Sequence, residues 1–147
     1  MPSGFTLVDL VVVIAIVAIM VSIAAPSFAA FIASQRAGSA ATDLYAALTL
    51  ARSEATKRNA NVTLAPATGG WQNGWDIADP AISGRNVLSH GALASAVVTG
   101  PSSVVYQRSG RVRGTAPAFT LTVSTGPATA KRCVSTDLSG RPYIQSC

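Results

Sequence analysis

The 147-residue chain holds one histidine, His90, and two cysteines, Cys133 and Cys147. No Ser, Cys or Asp pattern beside His90 would assemble a nucleophile with its base, so we read no catalytic residues. No C-x-x-C pair or Cys/His cluster suggests a metal, and nothing calls for a cofactor. Two other kinds of residue carry chemistry. Asp9 is an acid inside a strongly apolar run, a placement normally retained for a partner because it costs a few kcal/mol at a bilayer centre. Arg108, Arg111, Arg113, Lys131, Arg132 and Arg141 put six cations within 34 residues that contain one acid, Asp137. Three of them share the Gly-bounded stretch Arg108-Ser109-Gly110-Arg111-Val112-Arg113-Gly114. Arginines on such a turn can approach phosphates bidentately, and solvated turn charge or subunit contacts are the alternatives.

The elements that must position these residues divide the chain. Within residues 5–25 the only polar side chains are Thr6, Asp9 and Ser22. About 20 residues rising ~1.5 Å each cross ~30 Å of hydrocarbon. A cleaved secretory signal would need a basic n-region and a shorter apolar core, and Met1-Pro2-Ser3-Gly4 has no Lys or Arg. The run is therefore expected to stay as a transmembrane helix. Pro26 removes one backbone donor and should kink or loosen the helix. Periodicity then resumes over residues 26–58, with Ala37, Ala40, Ala41, Leu44, Leu48, Ala51 and Ala55 on one face. Glu54 stands four residues before Arg58, a pair expected on solvated helix surface together with Arg52.

Residues 59–147 change to short β-type runs: 62–64, 75–77, 97–98, 104–106, 119–123 and 133–135. Gly and Asn turns punctuate them. The expected architecture is α+β, a long helix whose second half packs on one small antiparallel sheet. Trp71 and Trp75 are expected to fill its core. Residues 1–80 are net minus one and residues 81–147 net plus six, so the basic charge belongs to the C-terminal half. It implies a polyanionic partner or simple solubilising charge. Cys133 and Cys147 should be bonded if the domain lies outside the inner membrane, and a loop near 15 residues would contribute roughly 3 kcal/mol in the chain-entropy model. Two separate buried thiols are the other reading.

Gly4-Phe5-Thr6-Leu7-Val8-Asp9 heading the apolar run resembles the entry of type IV pilins and pseudopilins, which have Glu where Asp9 stands. The resemblance implies a leader of residues 1–4, cleavage by prepilin peptidase between Gly4 and Phe5, and N-methylation of Phe5. It implies filament-core packing of residues 5–25, with Asp9 neutralised by the Phe5 ammonium of a neighbouring subunit and Pro26 as the helix-loosening proline. The stretch 51–59, Gly74-Trp75, Gly110-Arg111 and Ser139-Gly140-Arg141 look like the minor pilin group of FimT, FimU and GspH. The implied function is a minor pilin of a type IV pilus, priming assembly or sitting at the tip, with a GspH-type pseudopilin of type II secretion as the alternative. The implied location is the inner membrane with a periplasmic domain, then an extracellular pilus or a periplasmic pseudopilus. Partners would be other pilin or pseudopilin subunits. Gly110-Arg111-Val112-Arg113 also matches the Gly-Arg-x-Arg motif of FimT-type pilins that bind DNA during transformation, making the six cations candidate contacts to double-stranded DNA. Gly140-Arg141-Pro142-Tyr143 lacks the second Arg.

Overall fold

A computed structural model describes residues 7–147. The expected cleavage and methylation positions, Gly4 and Phe5, and the side chain of Pro26 lie outside the described residues. One helix, α1 (Leu7–Arg58), runs for 52 residues, roughly 78 Å at ~1.5 Å per residue. It bends near residues 23–26, where the sequence places the proline that lacks a backbone donor.

The two halves of α1 meet different surroundings. Leu7, Val8, Leu10, Ile14, Ile19 and Met20 are all more than half exposed. This half is long and apolar enough to cross a membrane, and none of it is buried by the rest of the chain. From Ala33 onward the helix buries a stripe at three- and four-residue steps: Ala33, Ala37, Ala40, Ala41, Leu44, Ala47, Leu48, Ala51 and Ala55. Methyl side chains bring the helix close to the strands, and Leu44 and Leu48 fill the remaining space. The helix stops at Asn59, whose φ of 51° is left-handed. Ala60 N–H bonds Ala55 C=O and Asn59 N–H bonds Thr56 C=O, the paired closure that satisfies terminal carbonyls.

The single expected sheet is corrected to two four-stranded antiparallel sheets. The first contains β1 (Val62–Pro66), β2 (Trp75–Ala78), β3 (Asn86–His90) and β5 (Val104–Tyr106), in the order β3-β2-β1-β5. The second contains β4 (Ala96–Thr99), β6 (Ala118–Thr125), β7 (Ala128–Thr136) and β8 (Pro142–Gln145), in the order β4-β6-β7-β8. Helix α1 packs mainly on β6 and β7 and also touches β1, β5 and β8. Phe119, Leu121 and Val123 alternate inward along β6, the half-buried pattern expected of that run.

Trp71 and Trp75 are core residues. Trp71 meets the Phe119 ring edge-on at 4.9 Å and donates Nε1–H to Pro101 C=O at 2.7 Å. The solvated reading of Glu54 is also corrected: the residue is 7% exposed. Arg58 bonds the Glu54 carboxylate and reaches Asp79 Oδ1 at 2.8 Å. Arg85 donates to Asp79 Oδ2 at 3.0 and 2.7 Å. The end of α1 is thereby tied to the β2–β3 loop through a carboxylate lying 21 residues beyond Arg58, a partner that helical spacing does not reveal.

Candidate functional site

Two turns of the same sequence type meet at the end of α1. Gln107-Arg108-Ser109-Gly110-Arg111 follows β5, and Asp137-Leu138-Ser139-Gly140-Arg141 joins β7 to β8. Each closes identically. Gly110 N–H donates to Gln107 C=O and Gln107 N–H to Arg111 C=O, both at 2.8 Å; Gly140 N–H donates to Asp137 C=O and Asp137 N–H to Arg141 C=O, both at 3.0 Å. The fourth residue of each must be left-handed, with φ of 76° at Gly110 and 84° at Gly140, which glycine adopts without steric penalty.

The turns are stacked on each other. A Cβ on Gly140 would overlap the Gly110 carbonyl oxygen. That oxygen also accepts a hydrogen bond from Arg52 Nε at 3.1 Å, across 58 residues of chain. Beneath them lies Tyr106, fully buried, whose hydroxyl has no hydrogen-bond partner among the described residues. Burial pushes its pKa well above the ordinary tyrosine value. The second turn is further fixed by Asp137, whose carboxylate accepts from Ser139 Oγ at 2.7 Å and from Arg141 N–H at 2.8 Å. Those bonds, the Ser139 hydroxyl first, hold the Asp137 carboxyl below the usual range.

The six sequence-singled cations are therefore divided. Arg108, Arg111, Arg113 and Arg141 are exposed on or beside the stacked turns. Arg113 is anchored by its N–H on Val105 C=O at 2.9 Å. Arg108 and Arg113 face a cleft of about 430 Å³ closed by Asn59, Ala60 and Asn61. Arg141 faces a second groove of about 600 Å³, which Arg52 and Lys57 of α1 also line. Lys131 and Arg132 lie on β7 opposite Thr122 and Leu121, with Arg132 roughly 13 Å along the strand from Thr136 at ~3.3 Å per residue. Sequence reasoning missed Arg52 and Lys57, since a helical cation reads as generic surface until its neighbours in space are known.

The chain end is fixed by the expected disulfide. Cys133 and Cys147 are bonded, with a Cα–Cα separation of 5.1 Å. Cys133 pairs with Gln145 across β7 and β8, so the bond closes the free end of β8 onto its neighbour. His90 has company the sequence did not show. Its ring stacks on Trp75 at 4.2 Å and 10°, and Nε2 lies 3.6 Å from Asp43 Oδ2. Asp9 lies on α1, two residues beyond the first described residue, Leu7. Among the described residues no group of three His, Cys, Asp or Glu could hold a metal ion.

The family model described as Type II transport protein GspH matches residues 40–140. Two crystal structures of the type IV minor pilin FimU of Pseudomonas aeruginosa have the same fold. The P21 form is 20% identical with a TM-score of 0.64, covering 76% of this chain and 89% of FimU. The P65 form is 21% identical with a TM-score of 0.61, covering 74% and 91%. No curated protein matches the chain.

Proposed function

Since the chain belongs to the GspH family of minor-pilin and pseudopilin subunits, a structural rather than enzymatic family, we propose that it is a minor pilin of a type IV pilus. In this reading a peptidase removes residues 1–4. Residues 5–25 hold the precursor in the inner membrane with its domain in the periplasm, and the same segment then packs in the filament core, with assembly priming or tip placement as its role. The observation that carries this is the contrast within α1: its first half is apolar and unburied, while its second half is covered by two sheets. Exposed apolar surface on that scale requires lipid or neighbouring helices. The test is mass spectrometry of the native subunit. Methylated Phe5 is the expected N-terminus, and a chain beginning at Met1 or after Ala25 contradicts it.

The name of the matched family favours a second reading, a pseudopilin of type II secretion. Deleting the gene and scoring piliation and secretion together separates the two, because each reading expects only its own phenotype.

The stacked turns favour double-stranded DNA as an added partner of the minor pilin, since four exposed arginines lie on or beside turns that backbone hydrogen bonds hold closed. If three or four meet phosphates, log affinity should fall against log salt with a slope of roughly −3 to −4, about 0.9 counterion per phosphate. Arg111→Ala with Arg113→Ala should remove about two contacts' worth of slope from the folded protein. Absence of binding at low salt, or an unchanged slope in the double variant, rules the DNA contact out.

A further inference from the structure

The about 600 Å³ groove between α1 and the start of β8 adjoins the stacked turns and shares Arg141 with the second of them. Tyr45, Thr49 and Pro142 give it a largely apolar lining, and Arg52, Lys57 and Arg141 supply the cations; no acid lines it. The Thr49 hydroxyl is satisfied by its own helix, donating to Tyr45 C=O at 2.8 Å. Arg52 is held in place by its Nε bond to Gly110 C=O at 3.1 Å, so this guanidinium is positioned by the fold rather than swinging in solvent. Lys57 is 75% exposed in its side chain and lies 3.8 Å from Glu54 Oε1. Strand β8 is the outermost strand of its sheet, so no further strand closes that side.

We propose that this groove is the docking site for an extended acidic segment of a neighbouring pilin-type subunit. The proposal rests on the filament reading above. Charge complementarity selects the occupant: three cations without a lining acid call for carboxylates, and the apolar strip between them takes the segment's uncharged side chains. Geometry disfavours DNA here. A duplex is met by side chains that project toward its phosphates, whereas a concave strip along a helix suits a narrow chain. Continuity supports a subunit as the source. The groove lies on the same helix whose first half is left uncovered, so neighbours that pack there are brought alongside it.

The experiment places the photocrosslinker p-benzoylphenylalanine at Thr49 in the full-length protein in its native envelope. Incorporation into filaments is scored in the same cells, and the cross-linked peptides are identified by mass spectrometry. The expected product joins Thr49 to an Asp- or Glu-bearing segment of another pilin-type subunit. Lys57→Glu with Arg141→Glu should reduce it about tenfold or more, because close charge pairs across an interface couple strongly, and changing the captured acids to Lys should restore it. The milder Lys57→Gln with Arg141→Gln should reduce it in part, and it gives the readout should the charge reversal not fold. Incorporated protein that yields no subunit cross-link overturns the docking site and leaves the filament reading standing. A cross-link to DNA, to a segment without acids, or one indifferent to both double variants overturns it equally. Protein that inserts in the membrane but never enters a filament overturns the filament reading and the docking site with it.

Discussion

Gly140→Ala should destabilise the domain far more than Gly114→Ala, although both glycines have nearly the same backbone angle, φ 84° and 83°. At Gly114 a Cβ meets nothing within 4 Å, so the cost is the left-handed conformation alone, about 1–2 kcal/mol. At Gly140 the same cost applies, and the new methyl also overlaps the Gly110 carbonyl oxygen. Backbone cannot yield as a flexible side chain can. The first turn must move, and the Arg52 bond to that oxygen goes with it, a loss of roughly 1.5–3 kcal/mol for a charged donor. The expected total is about 2.5–5 kcal/mol for Gly140→Ala against about 1–2 for Gly114→Ala. Urea unfolding of the detergent-solubilised chain can be followed by tryptophan fluorescence, since Trp71 and Trp75 are both buried and report the same core. Combining Gly140→Ala with Arg52→Ala should be less than additive, because both break one contact. Equal unfolding midpoints for the two glycine variants, at unchanged denaturant slopes, would falsify the stacking of the turns.

Two further outcomes follow from the same contacts. Replacing Cys133 and Cys147 by Ser should lower stability by roughly 3 kcal/mol through the freed loop; a double variant with the wild-type urea midpoint would show that the bond constrains nothing. Asp79 is held below the usual carboxylate range chiefly by the Ala81 N–H, then by Arg85 and Arg58, against the opposing effect of burial. A depressed folded pKa means its stabilisation is full above the unfolded value, near 3.8, and is lost as pH falls from there through the folded value. Urea midpoints measured from pH 6 to pH 2 should therefore drop in the wild type, and less steeply in Asp79→Asn; parallel profiles would remove Asp79 from the acid response.

What could be read from the chain alone was what repeats locally. The α1 face from Ala37 to Ala55 is legible because burial on a helix recurs every three or four residues, and Phe119, Leu121 and Val123 because burial on a strand alternates. Strands β3 and β8 were not legible: Asn86-Val87-Leu88-Ser89-His90 and Pro142-Tyr143-Ile144-Gln145 carry polar or proline residues at their ends and become strands through their neighbours. Division into two sheets is likewise a matter of which strand pairs with which, and no run of residues states its partner. The candidate site shows the same limit. Both Ser-Gly-Arg turns stand in the sequence, but their stacking depends on Gly140 facing Gly110 and on Arg52 reaching across 58 residues.

Distance along the helix bears on which anion the arginine turns can face. If residues 5–25 fill the membrane, Arg52 stands 27 residues beyond the span, at most roughly 40 Å along a helix rising ~1.5 Å per residue. The bend near residues 23–26 shortens that height only by the cosine of its angle. Screening reduces the field of a charged surface over ~8 Å at physiological ionic strength, so the lipid headgroups beside the protein's own anchor exert little pull at that height. If the span is so placed, a cationic end that far from it would meet an anion that comes from elsewhere rather than from those headgroups. Asp79, Arg58 and Glu54 matter to that placement because they tie the last turn of α1 to the first sheet, while Arg52 ties the preceding turn to the stacked loops. Helix α1 thus sets the angle at which these cations are presented. Loosening the bend should change the domain's orientation while leaving the geometry of the turns intact.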